Sequence, residues 1–338
     1  MRSKEKMKYA ITGSNDDLFK LPQFMSYCWE NYFHLFPKKS SGLYVGREKV
    51  FANNRILDHL DIWICELGQW YTQDHYRVAA TYAKSKGVKT IACIHSPWIM
   101  TIGAFHEYVN MNIKNLQAFD GLILHYHDQE MADWISEVTE RPVIPIVPPP
   151  EREMIEQSYE AMPIELPFEA GTYCLVANPL LEDLDRRTDF LFYWCKKLDI
   201  PFIVNNARKG EDPRYDMYFS YIKERYGSLA AEIPKMSTEQ WYWVVRNSLF
   251  TSVASLLPTL GRPILDAAMC ETLSIGVASA WQQILYPECI IPYRPESHVE
   301  VQQAIFDRHN HVERAVRSLK AYDVPAESER FLKWIQSI

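Results

Sequence analysis

Five runs in the first 147 residues, KYAIT, LDIWICEL, VKTIACI, GLILHY and PVIPIV, are apolar at consecutive positions rather than at alternate ones. A strand with that pattern has to be buried on both faces. Amphipathic stretches near residues 18–34, 71–85, 104–117 and 128–139 separate the runs. Strands hidden on both sides and divided by helices predict a parallel sheet with helices on either face.

The alternation then stops. VPPPEREMIEQSYEAMPIELPFEAG, residues 147–171, holds five prolines, three of them consecutive. Proline lacks an N–H and fixes φ, so this stretch continues neither a helix nor a central strand. Beyond it the pattern restarts: TYCLVAN, a helix over 187–198, PFIVNN, a helix over 213–226, AAEIP, a helix over 237–247, LFTSVAS, a helix over 262–269, LSIGVAS and CIIPY. Ser237 and Gln240 have capping-box spacing ahead of the apolar WYWVV. The last residues, ESERFLKWIQSI, read as an amphipathic helix. The chain therefore divides into an N-terminal α/β domain (1–147), a proline-rich linker (148–171), a second α/β domain (172–322) and a C-terminal helix (323–338) that packs back on the first domain. Ligands of doubly wound sheets bind beyond the carboxyl ends of the strands, and two such domains facing each other enclose a cleft.

Composition narrows the setting. No run of about 18 apolar residues is present, so no membrane span is expected, and MRSKEKMKYAITG has no signal-peptide core. The seven cysteines form no C-x-x-C pair, and Cys65, Cys93 and Cys174 sit in apolar runs, which suits buried thiols in a cytosol. No His/Cys cluster has metal-ligand spacing. Residues 1–150 carry 16 Lys+Arg and 16 Asp+Glu, whereas 151–338 carry 20 and 27, so the net charge of −7 lies in the second half. Within the first 55 residues 10 basic groups face 5 acidic ones. That basic lobe, with Lys38, Lys39, Arg47, Lys49 and Arg55, could meet a polyanion; a solvated surface is the plainer reading.

The chemistry is sought at the strand ends. After the first strand, Gly13 permits a tight turn and Ser14 and Asn15 can cap the next helix. Neither G-x-G-x-x-G nor G-x-x-x-x-G-K-[ST] occurs, which argues against a nicotinamide enzyme or a P-loop nucleotidase. His95 follows VKTIACI, where it could serve as a base or as a hydrogen-bonded core histidine. His125, Tyr126 and His127 after GLILHY read as wall residues. Arg186 and Arg187 open a helix, where cations do not complement the dipole. Either the nearby Glu182, Asp183 and Asp185 or a bound diphosphate would balance them. Arg208 and Lys209 follow the next strand. Asp266, one to two turns into the helix of GRPILDAAMCETLSIG, could accept hydrogen bonds from vicinal ribose hydroxyls or simply complement the helix.

These residues give a resemblance. LDAAMCETLSIG is similar to the donor-domain helix and strand of GT-B glycosyltransferases, which reads EAMACG before its strand; FDGLILHYHDQEMADWI resembles their last acceptor-domain strand and helix, and AEIPKMSTEQWYWVVRNS their G-x-x-P-x-x-E-x-x-x-x-Y segment. The resemblance spans nearly the whole chain. It implies two Rossmann-like domains around a cleft and a nucleotide-sugar co-substrate, a UDP-sugar, with no further cofactor and no metal. It further implies donor diphosphate contacts from Arg186, Arg187, Arg208 and Lys209 and a ribose contact from Asp266. Many retaining members carry a glutamate eight positions before the ribose-binding acid; here Pro258 stands there, so inversion is favoured. The order of segments resembles phage DNA β-glucosyltransferases, in which an aspartate after a central N-domain strand is the base. His95 holds that position, with Asp16, Asp17 and Glu66 as carboxylate rivals. Transfer to a modified base in phage DNA, through the basic lobe, in bacterial or phage-infected host cytosol, is one implied function. Transfer to a saccharide or small molecule is another; a non-catalytic GT-B-like binding protein and a sugar-nucleotide epimerase are further alternatives.

Overall fold

The computed structural model describes residues 7–13, 35–67, 74–94, 106–124, 128–146, 155–156, 164–177, 188–205, 213–233, 236–253, 262–277 and 279–338. Internal contacts divide the chain into two units, Met1–Pro149 with Asp323–Ile338, and Pro150–Tyr322.

Six strands form the first unit's sheet: β1 Lys8–Gly13, β2 Ser41–Gly46, β3 Ile62–Leu67, β4 Lys89–Ile94, β5 Gly121–Leu124 and β6 Val143–Pro145. All are parallel, in the order β2-β1-β3-β4-β5-β6. The described helices of this unit are α1 Arg47–Ala52, α2 His75–Ser85, α3 His106–Gln117, α4 Gln129–Thr139 and, at the end of the chain, α12 Val324–Ser337. Consecutive apolar residues bury both faces of the sheet, as two-sided coverage requires. Tyr9, Ile11, Ile62, Ile64, Ile91, Cys93, Ile123 and Ile144 join Phe331 and Ile335 of α12 in one core.

Several contacts fix α12 on the sheet. Asp323 caps it by accepting from the Ala326 N–H at 2.9 Å. The Ser328 hydroxyl donates to the Leu35 carbonyl at 2.7 Å, and the Lys89 ammonium to the Ile335 carbonyl at 2.5 Å. Gly121 lets the helix approach closely: a Cβ there would lie 2.8 Å from both Trp334 and Ile338 side-chain atoms.

The second sheet contains β7 Cys174–Val176, β8 Phe202–Asn205, β9 Ala230–Ile233, β10 Phe250–Val253 and β11 Leu273–Gly276. It too is wholly parallel, in the order β11-β10-β7-β8-β9. Its described helices are α5 Thr188–Leu198, α6 Pro213–Tyr226, α7 Thr238–Arg246, α8 Arg262–Met269, α9 Ala280–Leu285, α10 His298–Phe306 and α11 Arg308–Leu319. Residues from the proline-rich stretch belong to this unit's packing. Ile155 is buried and its carbonyl accepts from Arg246 Nη2 at 3.5 Å, while the Gly171 N–H donates to the Asn247 carbonyl at 2.7 Å.

The two sheets hold the same α/β logic read from the sequence, with three differences. Strand β2, SGLYVG, carried no two-faced apolar run, because it is an edge strand whose first three residues are exposed. The run LSIGVAS stops as a strand at Gly276, and Ser279 caps α9 by accepting from the Gln282 N–H at 3.2 Å. CIIPY is not a strand. Cys289 ends a 3-10 turn and only Ile290 bridges Gly276, since Pro292 brings no N–H with which to extend a ladder.

Candidate functional site

In a doubly wound sheet the ligand crevice opens where the strand order reverses, beyond the carboxyl ends. That point falls between β1 and β3 in the first unit and between β7 and β10 in the second.

In the second unit, α8 connects β10 to β11 and carries Asp266, of which only 4% is exposed. Arg262 and Asp266 stand four residues apart on one helix face. The Arg262 Nε–H donates to Asp266 Oδ1 at 2.8 Å, and the Trp241 indole N–H donates to Oδ2 at 3.0 Å. Arg262, itself buried, also reaches the Tyr242 hydroxyl at 3.4 Å. Trp241 and Tyr242 owe their place to the start of α7. The Ser237 hydroxyl accepts from the Gln240 N–H at 3.2 Å, and the Gln240 side chain accepts from the Ser237 N–H at 2.9 Å. This is the capping box read from the sequence.

Burial pushes the Asp266 carboxyl upward from its ordinary value, while the charge of Arg262, the Trp241 indole N–H and the Arg262 hydrogen bond pull it down. The guanidinium stays protonated, so ionised Asp266 keeps the buried pair neutral overall. The sequence marked Asp266 but not its partners. The i, i+4 spacing of Arg262 was available as a signal, whereas Trp241, 25 residues upstream, left none.

In the first unit, Gly13 closes β1 against the β2 and β3 ends. A Cβ there would run into the Tyr44 hydroxyl and come within 3.2 Å of Glu66 Oε2. Glu66, second from the end of β3, is 3% exposed. Arg47, at the start of α1, donates to the Tyr76 hydroxyl at 3.3 Å. Burial works against the Arg47 charge, but Tyr76, Glu48 and Glu66 outweigh it and raise its pKa. Cys65 beside them is no nucleophile: burial, and then the Glu66 charge, hold its thiol well above the ordinary value. This edge gathers a carboxylate, a guanidinium and two phenols, of which Glu66 and Tyr76 are buried.

Of the residues singled out from sequence, Gly13, Glu66, Asp266 and the basic Lys38, Lys39, Arg47, Lys49 and Arg55 fall among those described. His95, Ser14, Asn15, Asp16, Asp17, Arg186, Arg187, Arg208 and Lys209, with His125, Tyr126, His127, Glu182, Asp183 and Asp185, lie outside the described residues. Among the described residues no group of three or more His, Cys, Asp or Glu side chains could hold a metal ion, and no helix is long and apolar enough to cross a membrane. Among the described residues six cysteines are free and buried.

No family model matches the sequence, and no curated protein does. Solved structures do resemble it over its length. Sucrose-phosphate synthase from Thermosynechococcus elongatus superposes with a TM-score of 0.72 at 11% identity, covering 98% of this chain and 99% of that one. Anabaena HepE in complex with UDP-glucose gives 0.70 at 10% identity, covering 98% and 100%. AviGT4, a glycosyltransferase of avilamycin A biosynthesis, gives 0.65 at 13% identity, covering 98% and 97%. At such identities the shared property is architecture. The chain has the two parallel α/β sheets of the GT-B fold.

Proposed function

We propose that this protein is a glycosyltransferase that takes a sugar from a nucleotide-diphosphate sugar, a UDP-sugar, and delivers it to an acceptor hydroxyl. The observation that carries the reading is the full-length likeness to HepE, a structure solved with UDP-glucose. Asp266 on α8 supports it. Each of its oxygens accepts one hydrogen bond within the protein and has a second lone pair left for a ribose hydroxyl. The diphosphate would be met by Arg186, Arg187, Arg208 and Lys209, whose forks and ammonium suit phosphate oxygens. Cations in that role would make a metal unnecessary, and activity should persist in a chelator. A cytosolic setting fits the buried free thiols.

For the reaction course we favour inversion, with His95 taking the proton of the acceptor hydroxyl. A neutral imidazole with a pKa of about 6.5 suits that step near pH 7. His95→Ala should then lower turnover by about 10²-fold or more at unchanged donor affinity. Near-normal turnover would pass the role to a carboxylate such as Glu66 or to a retaining course.

Two acceptor classes are open to such an enzyme. DNA is favoured by one observation: Lys8, Lys38, Lys39, Lys49 and Arg55 are exposed. Phosphate contacts there would make binding fall steeply with salt. Mass spectrometry of donor consumption with DNA, oligosaccharide or water as acceptor tests the whole reading. Transfer to one of the first two supports it. Consumption with neither, together with no nucleoside-diphosphate binding, removes it.

A further inference from the structure

Between α5 and α6 the second unit carries a cavity of ≈ 310 Å³ that does not involve Asp266. Its wall is aromatic, with Phe190 from α5 and Tyr218, Tyr221 and Tyr226 from α6. Two opposite charges complete it, Asp189 and Arg225.

The sequence of α6 explains the arrangement. In PRYDMYFSYIKERY, Tyr215 and Ile222 point inward and are buried. Tyr218, Tyr221 and Arg225 follow at spacings of three and four, which lines them along one face. The rings of Tyr218 and Tyr221 stack at 6.4 Å and 25°. Arg225 donates to the Tyr221 hydroxyl at 2.7 Å and lies 5.9 Å from the centre of the same ring. From the other side Phe190 stacks on Tyr293 at 5.9 Å and 17°, which fixes its ring. Tyr221 nevertheless keeps 49% of its surface in water.

A pocket of this make-up selects its occupant. Tyrosine offers a flat apolar face and a hydroxyl that donates and accepts. A pyranose offers the converse, an apolar C–H face ringed by hydroxyls. The acid and the guanidinium can each take a pair of vicinal hydroxyls, and their charges cancel, so a polyanion gains little here. The volume lies at the small end of the range of ligand sites. We propose that this cavity binds a neutral pyranoside, as a saccharide site separate from the one that holds Asp266.

Saturation-transfer NMR on the full chain tests it, with methyl α-D-glucopyranoside, maltotriose, cellotriose and, as a competitor, UDP. The expected result is transfer from protein to the ring C–H protons of at least one saccharide, unaffected by UDP. Tyr221→Ala should weaken that binding about two- to tenfold, and Tyr221→Phe, which keeps the ring, should weaken it less. Because Tyr221 is half in water, both variants should melt near wild type, and UDP binding should not change. No transfer to any of the three saccharides, undiminished binding by Tyr221→Ala, or displacement by UDP would each overturn the proposal. Loss of UDP binding in the wild type would bear on the donor reading alone.

Discussion

The two sheets bring a carboxylate and an arginine to comparable places and treat them differently. In the second unit Arg262 and Asp266 are buried together at 2.8 Å, with side-chain exposures of 7% and 6%. In the first unit Arg47 keeps 29% of its side chain exposed and spreads its interactions over Tyr76, Glu48 and Glu66. A pair taken out of water must be complete, because removing one member strands the other's charge. An arginine partly in water with several partners loses less when any one of them goes. The second unit has therefore built a fixed anchor, and the first an adjustable polar edge.

Arg262→Met should break this comparison most visibly. It should cost about 3–5 kcal/mol, read from urea unfolding, by leaving Asp266 buried without its cation. It should also change the pH dependence. Without Arg262 the folded carboxyl rises further above its unfolded value of about 3.9. The folded state then binds more protons, so the variant should lose stability as pH rises from about 4 toward neutrality. By the same reasoning Asp266→Ala would strand Arg262 and destabilise the unit. Arg47→Met, at a side chain that keeps 29% of its surface in water, should cost less than Arg262→Met. Equal costs for the two arginines would void the contrast.

A third site sharpens it. Asp120 in the first unit accepts from the Thr90 N–H and hydroxyl, both at 2.9 Å, and pairs with Lys84 at 2.9 Å. Burial alone would raise its pKa, but the Lys84 and Thr90 hydrogen bonds outweigh it and hold the carboxyl below its ordinary value. A depressed folded pKa contributes stability that is present above the unfolded value, about 3.9, and is lost as pH falls through the folded one. Asp120→Asn should cost about 1 kcal/mol near neutral pH, and the gap should close in acid denaturation below about pH 4. Both gaps to wild type should therefore widen from acid toward neutral pH, for Asp120→Asn because a stabilising charge is lost and for Arg262→Met because a buried charge is left without its cation. Ser237→Ala, which removes the cap that sets Trp241, should also cost about 1 kcal/mol. Unchanged stability there would mean that α7 is held by packing alone.

The sequence made one part of this visible and hid another for physical reasons. KTIACI and FIVN announce themselves as central strands because both faces are buried, which leaves an uninterrupted apolar run. SGLYVG does not, because an edge strand needs only one covered face and tolerates glycine and serine. Asp266 could be picked out as a lone acid in an apolar helix. Its bond to Trp241 could not, because only the folded path of α7 brings residues 25 positions apart together. Tyr218, Tyr221 and Arg225 look like any half-polar helix face until α5 closes the cavity beside them.

The most direct test of the central claim is calorimetric titration of UDP into the wild-type chain and into Arg187→Ala. Donor binding by a basic strand edge predicts saturable binding to the wild type. Loss of a charge-assisted hydrogen bond, about 1.5–3 kcal/mol, predicts about ten- to a hundredfold weaker binding by the variant. A wild-type chain that gives no binding heat with UDP or with any other nucleoside diphosphate would contradict the account.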